Sequence, residues 1–257
     1  MWYHTVTGSG RPIILLHGIG MSHAVWNPVT PSLRRTRSVI AFDIAGFGAT
    51  PPLPDGVPPT IANLVDALEH TLRDLGLSDT IDIAGNSLGG AMALEAARRG
   101  IARSAVTISP IGLWLDGPPA HVHYVFRGLR FMATHATRFV KAAVRQPLLR
   151  ELMLAVPLSI GSRRMPAADA VRTIDDLASA RAFEATFEHT RAPFSGTGIT
   201  VPVTVAFGGC DWILTKSARR RSALPPETVW VDKPGWGHVP MWVDPAGAAE
   251  LILDATV

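Results

Sequence analysis

The chain has 257 residues, of which 47% are hydrophobic and 18% charged, a composition typical of a globular protein with one large α/β domain or two small ones. No apolar run approaches the roughly 18 residues of a membrane-spanning helix and no signal peptide is visible, so we expect no transmembrane segment and a cytoplasmic protein. The net charge of +3 argues against a nucleic-acid partner, and the single cysteine, Cys210, excludes an internal disulfide.

Segments typical of strands and helices alternate along the chain, which predicts a mostly parallel sheet with helices on both faces. The predicted strands are 12–16, 38–42, 80–84, 104–108, 201–207 and 228–231. The predicted helices of this alternating part are 26–33, 61–75, 88–99, 215–224 and 245–255. A proline-rich loop is expected over 49–60.

Residues 111–195 interrupt the alternation and contain no convincing strand. A helix is predicted over 121–145, and Pro147 should end or kink it. Its apolar residues fall on one side at helical spacing, and five cations fall on the other: Arg127, Arg130, Arg138, Lys141 and Arg145. We interpret this segment as a helical insertion over the sheet with a solvated basic face. Contact of that face with a membrane surface or an acidic partner is the alternative.

The pentapeptide Gly85-Asn86-Ser87-Leu88-Gly89 stands between a predicted strand and a predicted helix. A Gly-x-Ser-x-Gly turn in this position is a nucleophile elbow, in which the serine side chain projects clear of the sheet. Small residues on either side let strand and helix approach each other. The pattern therefore predicts Ser87 as a catalytic nucleophile.

A serine nucleophile needs a base, and the base needs an orienting acid. His238 lies in a glycine-rich loop after the last predicted strand, which predicts the base. Asp211 follows the preceding strand directly and is the predicted acid, with Asp116 as its main competitor. Asp232 and Asp244 flank the histidine and are interpreted as turn-capping residues.

The oxyanion of the reaction requires two backbone amides. We assign them to Leu88, which begins the helix after the elbow, and to Ile19 in the loop after the first predicted strand. His17 in the same loop is expected to hold the loop by hydrogen bonds. No metal site is expected, since no cysteine or carboxylate is spaced for zinc with His121 and His123.

These motifs resemble those of the α/β-hydrolase family, and they occur in the same order along the chain. The resemblance rests on the segments 17–20, 43–48, 85–90, 209–211 and 237–238, together with Trp26. It implies an α/β-hydrolase fold with residues 1–110 and 196–257 as the core domain and residues 111–195 as a helical cap inserted after the family's sixth strand. It also implies no cofactor.

The resemblance also indicates which reactions of the family this chain is expected to catalyse. Family epoxide hydrolases and haloalkane dehalogenases use an aspartate where this chain has Ser87, so those activities are not expected. We expect a hydrolase of carboxylic esters of small to medium size, with a small-molecule ester as its partner. The alternative is a carbon–carbon bond hydrolase of the meta-cleavage type, in which Arg191 and Trp114 would hold an acidic dienone.

The cap is expected to shape an apolar substrate pocket. Its candidate lining residues are Trp114, Phe126, Phe131, Met132 and Trp212. A catalytically silent binding module and an acyl transferase are the remaining alternatives. The sequence does not determine whether the protein is a monomer or a homodimer.

Overall fold

The computed structural model describes residues 1–77 and 81–256. Within them, seven strands form one sheet in the order β1-β3-β2-β4-β5-β6-β7. The strands are β1 (His4–Thr7), β2 (Arg11–Leu16), β3 (Arg37–Phe42), β4 (Ile81–Asn86), β5 (Ala102–Ile108), β6 (Val203–Gly208) and β7 (Val229–Lys233). Only β1 runs antiparallel to its neighbour, β3. The predicted mostly parallel sheet is confirmed, and Thr80 of the predicted strand 80–84 lies outside the described residues.

Nine helices accompany the sheet in the described part of the chain. They are α1 (Thr30–Leu33), α2 (Ile61–Asp74), α3 (Leu88–Arg98), α4 (Ala120–His135), α5 (Thr137–Arg145), α6 (Pro147–Leu154), α7 (Ala167–Ser179), α8 (Phe183–His189) and α9 (Pro245–Asp254). Side-chain caps begin two of them: the Thr60 hydroxyl accepts the Asn63 amide before α2, and Asp244 accepts the Gly247 amide before α9.

The central strands are buried on both faces, as parallel strands covered by helices must be. In β2, Ile14 and Leu16 join one apolar core, whereas Ile13 and Leu15 join the other. This alternation follows from the two-residue period of a strand, which points successive side chains to opposite faces. The two cores fix the sheet between two helical layers. Because β2 to β7 run parallel, their carboxyl ends meet at one edge.

The predicted helix over 215–224 is wrong. That segment forms two short 3₁₀ turns, Lys216–Ala218 and Arg221–Ala223. The Arg219 guanidinium donates to the carbonyls of Leu214 and Gly208, and the Arg220 amide donates to Leu113. These tertiary hydrogen bonds hold the segment against the end of β6 in place of a helical ladder.

Two further sequence predictions need correction. The helix predicted over 121–145 breaks at Ala136 (φ −118°, ψ 23°), which separates α4 from α5. The helix predicted over 26–33 is a 3₁₀ turn at His23–Trp26 followed by α1. Strand β1 was not predicted, because it is a four-residue edge strand with no continuous apolar run.

Helices α4 to α8 all lie between β5 and β6. The predicted strand 104–108 falls in β5, so the insertion follows the fifth strand in this chain's own count. Helix α4 packs on α7, and α5 packs on both α6 and α7. Arg130 donates to the carbonyls of Leu177 and Ala180, which ties α4 to the end of α7.

Candidate active site

Ser87 occupies a strained turn between β4 and α3. Its backbone lies at φ 54° and ψ −111°, a conformation that costs a residue with a side chain about 1–3 kcal/mol. A Cβ atom at Gly85 would lie 2.1 Å from the Gly89 carbonyl oxygen, and one at Gly89 would lie 2.2 Å from the Leu16 carbonyl oxygen. The turn is therefore possible only because both flanking positions lack a side chain.

The carboxylate of Asp211 lies beside the imidazole of His238. Asp211 Oδ2 is 3.1 Å from His238 Nδ1, and Oδ1 accepts the amides of Ile213 and Leu214 at 2.9 and 2.8 Å. All of the carboxylate's close partners are donors, and both side chains are buried. The geometry places the hydrogen of the neutral imidazole on Nδ1 and leaves Nε2 as an acceptor.

The electrostatics of this pair favour an ionised carboxylate. Burial raises the pKa of Asp211, but the charge of His238 and hydrogen bonds from His238 and the Leu214 amide outweigh burial, so the pKa lies below its ordinary value. The other acidic candidates of the sequence lie elsewhere: Asp116 is exposed, Asp232 lies in β7 near Arg221, and Asp244 caps α9. Asp211 is thus the carboxylate that the structure brings to His238.

Several polar groups at the site, among them Asn86 Oδ1, lack a partner in the described part of the chain. The Nε2 atom of His238 is buried without a hydrogen bond. The amides of Ile19 and Leu88 likewise have no acceptor there. Leu88 is the first residue of α3, whose N-terminal amides carry partial positive charge. The site therefore presents one proton acceptor and two amide donors close to Ser87.

Ser87 lies where two cavities meet. The first cavity is lined by Ser87, His238 and apolar residues of the insertion, among them Leu129 and Leu154. The second cavity is lined by Ser87, Trp114 and Arg191, among others. Ile19, Ser87 and Phe126 line both cavities.

The predicted pocket residues divide into two groups. Trp114 lines the second cavity, and Phe126 lines both. Phe131 and Met132 lie on the outward side of α4, and Trp212 is 58% exposed after β6. These three line neither cavity, so their assignment to the pocket needs correction: an apolar residue type does not determine which side of a helix faces inward.

Several residues of the first cavity were not predicted. Leu129, Leu154, Leu158, Ile174 and Leu177 line it from the insertion, and no local motif distinguishes them from other leucines and isoleucines. Asn86 was also missed as a site residue: its side-chain amide donates to the carbonyls of Ile108 and His238 at 3.0 and 2.9 Å. Its place beside the predicted nucleophile was the available signal.

His17 holds the loop that carries Ile19. Its Nε2 accepts the Ile44 amide at 2.9 Å, so Nδ1 carries the hydrogen and donates to the Gly18 carbonyl at 2.7 Å. Burial lowers the pKa of His17 to about 4. Both ring nitrogens are therefore engaged in a neutral, structural histidine.

The described residues show neither a metal centre nor a membrane span. No group of three or more His, Cys, Asp or Glu side chains within 1–77 and 81–256 is arranged to hold a metal ion. None of the helices in these ranges is long and apolar enough to cross a bilayer.

Comparison with known proteins supports the same architecture. The chain is 30% identical over 202 residues to an epoxide hydrolase of Mycobacterium tuberculosis, covering 74% of this chain and 92% of that protein. It is 42% identical over 95 residues to a 2-hydroxy-6-oxo-2,4-heptadienoate hydrolase of Pseudomonas putida, a match that spans 36% of this chain and only 34% of that relative. A thermophilic esterase from Thermogutta terrifontis superimposes with a TM-score of 0.73 at 20% identity, covering 98% of this chain and 91% of that one.

The structural likeness at 20% identity shows the fold. The sequence model of the alpha/beta hydrolase family matches residues 13–251, a span that runs from β2 into α9 and contains Ser87, Asp211 and His238. This chain therefore belongs to the alpha/beta hydrolase family, and it is a hydrolase with the fold of that family.

Proposed function

We propose that this protein is a serine hydrolase that cleaves carboxylic esters of small to medium size through an acyl-enzyme. The observation that carries the proposal is the position of His238. Its Nδ1 is 3.1 Å from the Asp211 carboxylate. Its Nε2 has no partner among the described residues, and His238 lines the first cavity together with Ser87. A histidine held by a carboxylate, with a free Nε2 on the cavity that the serine lines, supports the proposal because such a base can take the proton of a serine hydroxyl.

In the proposed reaction, His238 Nε2 accepts the proton of Ser87 as Oγ attacks the ester carbonyl carbon. The negative charge of the tetrahedral intermediate moves to the former carbonyl oxygen, where the amides of Ile19 and Leu88 stabilise it. The intermediate collapses when His238 returns the proton to the leaving alcohol, and the acyl group stays on Ser87. A water molecule deprotonated by the same Nε2 then releases the acid and regenerates the serine.

Asp211 orients and stabilises the imidazole in this scheme. Its ionised carboxylate keeps the hydrogen of neutral His238 on Nδ1 and interacts favourably with the imidazolium that forms during each proton transfer. Burial strengthens that interaction, because little water competes for the two groups. The loss of either amide donor of the oxyanion site would be expected to lower the rate about 100- to 1000-fold.

The two cavities support a neutral, apolar ester as substrate. Among the residues that the structure describes, no Asp, Glu, Lys or Arg lines the first cavity, and Arg191 is the one such residue that lines the second. We assign one cavity to the acyl chain and the other to the alcohol group, since both reach Ser87. In this proposal residues 111–195 act as the cap over the core formed by 1–110 and 196–257.

The test is turnover of p-nitrophenyl esters of increasing acyl length, together with labelling by a fluorophosphonate probe. The native protein should hydrolyse short and medium esters and react with the probe, whereas Ser87→Ala should lose both activities while remaining folded. Ser195→Ala is the matched control, because Ser195 is exposed. Substantial ester turnover by a folded Ser87→Ala protein would refute the assignment of the nucleophile.

Carbon–carbon bond hydrolysis is the second candidate. The segment that is 42% identical to a 2-hydroxy-6-oxo-2,4-heptadienoate hydrolase favours it, as does Arg191, which could neutralise an acidic dienone in the second cavity. Parallel assays on p-nitrophenyl butyrate and on 2-hydroxy-6-oxo-2,4-heptadienoate separate the two reactions. Faster turnover of the dienone, with a raised KM in Arg191→Gln, would replace the ester proposal with this one.

A further inference from the structure

Helix α6 carries its polar and apolar residues on the sides opposite to those of an ordinary surface helix. Leu148 and Leu152 are 76% and 77% exposed, and Leu149 is also exposed. Arg150, in the middle of the same helix, is only 4% exposed. The helix thus presents three of its four leucines to the outside and encloses its arginine, with Leu154 on the inner side.

The two charged residues of α6 are used inside the protein. The Arg150 guanidinium donates to the carbonyls of Val144, Ser162 and Arg163. The Glu151 carboxylate accepts the amides of Gly161 and Arg163, both at 2.7 Å. These hydrogen bonds fix the rotation of α6 about its axis, so the outward position of the leucines is built into the fold.

Exposed apolar side chains continue beyond α6. We call the outer face the set Phe139, Leu148, Leu149, Leu152, Val156 and Ile160, all of which are exposed. Phe139 belongs to α5, which packs directly against α6, and Val156 and Ile160 lie in the segment that follows. Grouped exposed apolar residues of this kind mark an interaction surface.

The charges around the outer face identify the chemistry of its partner. Between residues 120 and 164 the sequence has eight cations and a single acidic residue, Glu151, which is engaged as described. Five arginines there are exposed and form no ion pair with a carboxylate of the described residues: Arg127, Arg138, Arg145, Arg163 and Arg164. An apolar surface in a segment rich in exposed cations is complementary to an anionic lipid surface.

A second copy of the chain fits this face less well. A two-fold dimer would place the same patch on both subunits and set these arginines against their own copies. Like charges brought together in this way oppose association. An anionic bilayer offers negative headgroups for the arginines and acyl chains for the leucines.

We infer that the outer face of α5 and α6 docks on the surface of an anionic phospholipid bilayer. The other side of α6 contributes Leu154 to the first cavity, and Pro157 and Leu158 follow it there. Docking would therefore bring a wall of that cavity to the lipid surface. The inference concerns binding alone and stands whether or not Ser87 is the nucleophile.

Co-sedimentation with phospholipid vesicles tests the inference on the full chain. Vesicles of phosphatidylcholine with phosphatidylglycerol should bind the native protein, salt should weaken that binding, and phosphatidylcholine alone should bind it poorly. Arg138→Gln/Arg145→Gln should weaken binding about 30-fold, which corresponds to about 1 kcal/mol per cation near an anionic surface. Arg35→Gln is the matched control, because Arg35 is an exposed arginine of the core domain. This substitution should change vesicle binding little.

The apolar contribution is tested with Leu148→Ser/Leu152→Ser, whose fold should persist because both side chains are exposed. Binding to anionic vesicles should fall at least about tenfold, whereas Val229→Ser, at an exposed apolar position of β7, should bind like the native protein. Equal binding of all variants, or no vesicle binding by the native protein, would overturn the inference. So would a dimer in solution that the leucine variant dissociates without any vesicle binding by the native chain.

Discussion

Replacing Asp211 by asparagine tests the role of the carboxylate at almost constant shape. The two amides of Ile213 and Leu214 point at Oδ1, so the asparagine oxygen must take that position. The asparagine nitrogen then occupies the position of Oδ2, which lies 3.1 Å from His238 Nδ1. Turning the amide the other way would leave the two backbone donors facing N–H groups, at a cost of about 1–3 kcal/mol each.

The asparagine nitrogen can only donate, so His238 Nδ1 must become the acceptor and its hydrogen must move to Nε2. The imidazole then faces Ser87 with a donor and cannot take the serine proton. We expect kcat to fall about 10⁴-fold, as in other Ser-His-Asp hydrolases with the wrong tautomer. This loss corresponds to about 5.5 kcal/mol of transition-state stabilisation.

The assay is steady-state hydrolysis of p-nitrophenyl butyrate, with kcat and KM determined separately and folding checked by circular dichroism. KM should change little, because Asp211 lines neither cavity. Asp116→Asn is the control, since Asp116 is exposed. A loss below tenfold in Asp211→Asn, or an equal loss in Asp116→Asn, would refute the reasoning.

Three further features can each be tested by one substitution: the elbow, the buried His17 and the place of Phe126 on both cavities. Gly89→Ala places a Cβ atom 2.2 Å from the Leu16 carbonyl oxygen and should lower the free energy of unfolding in urea by about 2 kcal/mol or more. Because folding keeps His17 neutral with a pKa of about 4 against an ordinary 6.5, the unfolded chain binds the extra proton as the pH falls through this window. His17 should therefore contribute a rise of about 3 kcal/mol in the free energy of unfolding from pH 4 to pH 6.5 that then levels off, and His17→Gln should remove that contribution. Phe126→Ala should join the two cavities that Phe126 lines and shift kcat/KM towards longer acyl chains.

Each of these predictions has a matched comparison. Gly128→Ala has open space around the new Cβ and should be neutral or stabilising by up to about 1 kcal/mol; equal stability of the two alanine variants would contradict the close approach of α3 to β2. Burial raises the pKa of Asp176, so this group lowers the free energy of unfolding as the pH rises, in the native protein and in His17→Gln alike. Parallel curves of unfolding free energy against pH for the two proteins would therefore contradict a neutral His17. An unchanged chain-length profile in Phe126→Ala would contradict its place between the cavities.

Much of the candidate site could be predicted from the sequence because it depends on short-range geometry. A serine flanked by glycines between a strand and a helix can adopt few turns, and the observed φ of 54° at Ser87 belongs to a tight turn of this kind. Asp211 and His238 each follow a strand, and neighbouring parallel strands deliver such loops to one edge of the sheet. Their proximity therefore follows from chain order and strand direction.

The choice between Asp211 and Asp116 as the orienting acid depended partly on the sequence and partly on the structure. Each follows a strand, Asp211 three residues after β6 and Asp116 eight residues after β5, and this spacing favoured Asp211 without excluding Asp116. The structure does so through the amides of Ile213 and Leu214 and the ring of His238, which surround Asp211, whereas Asp116 remains exposed. The deciding groups are far apart in the chain and become neighbours only on folding.

The sequence by itself determined the parallel strands β2 to β7, the elbow and the identity of the residues that could act on a carbonyl, because strand periodicity and tight turns are local properties of a chain. Only the tertiary structure decided which side of each inserted helix faces Ser87. It turned Phe131 and Met132 outward, brought Leu154 inward, and left the leucines of α6 exposed around a buried Arg150. A helix can be rotated about its axis without changing its sequence, so its inward side is set by packing and by hydrogen bonds to distant residues.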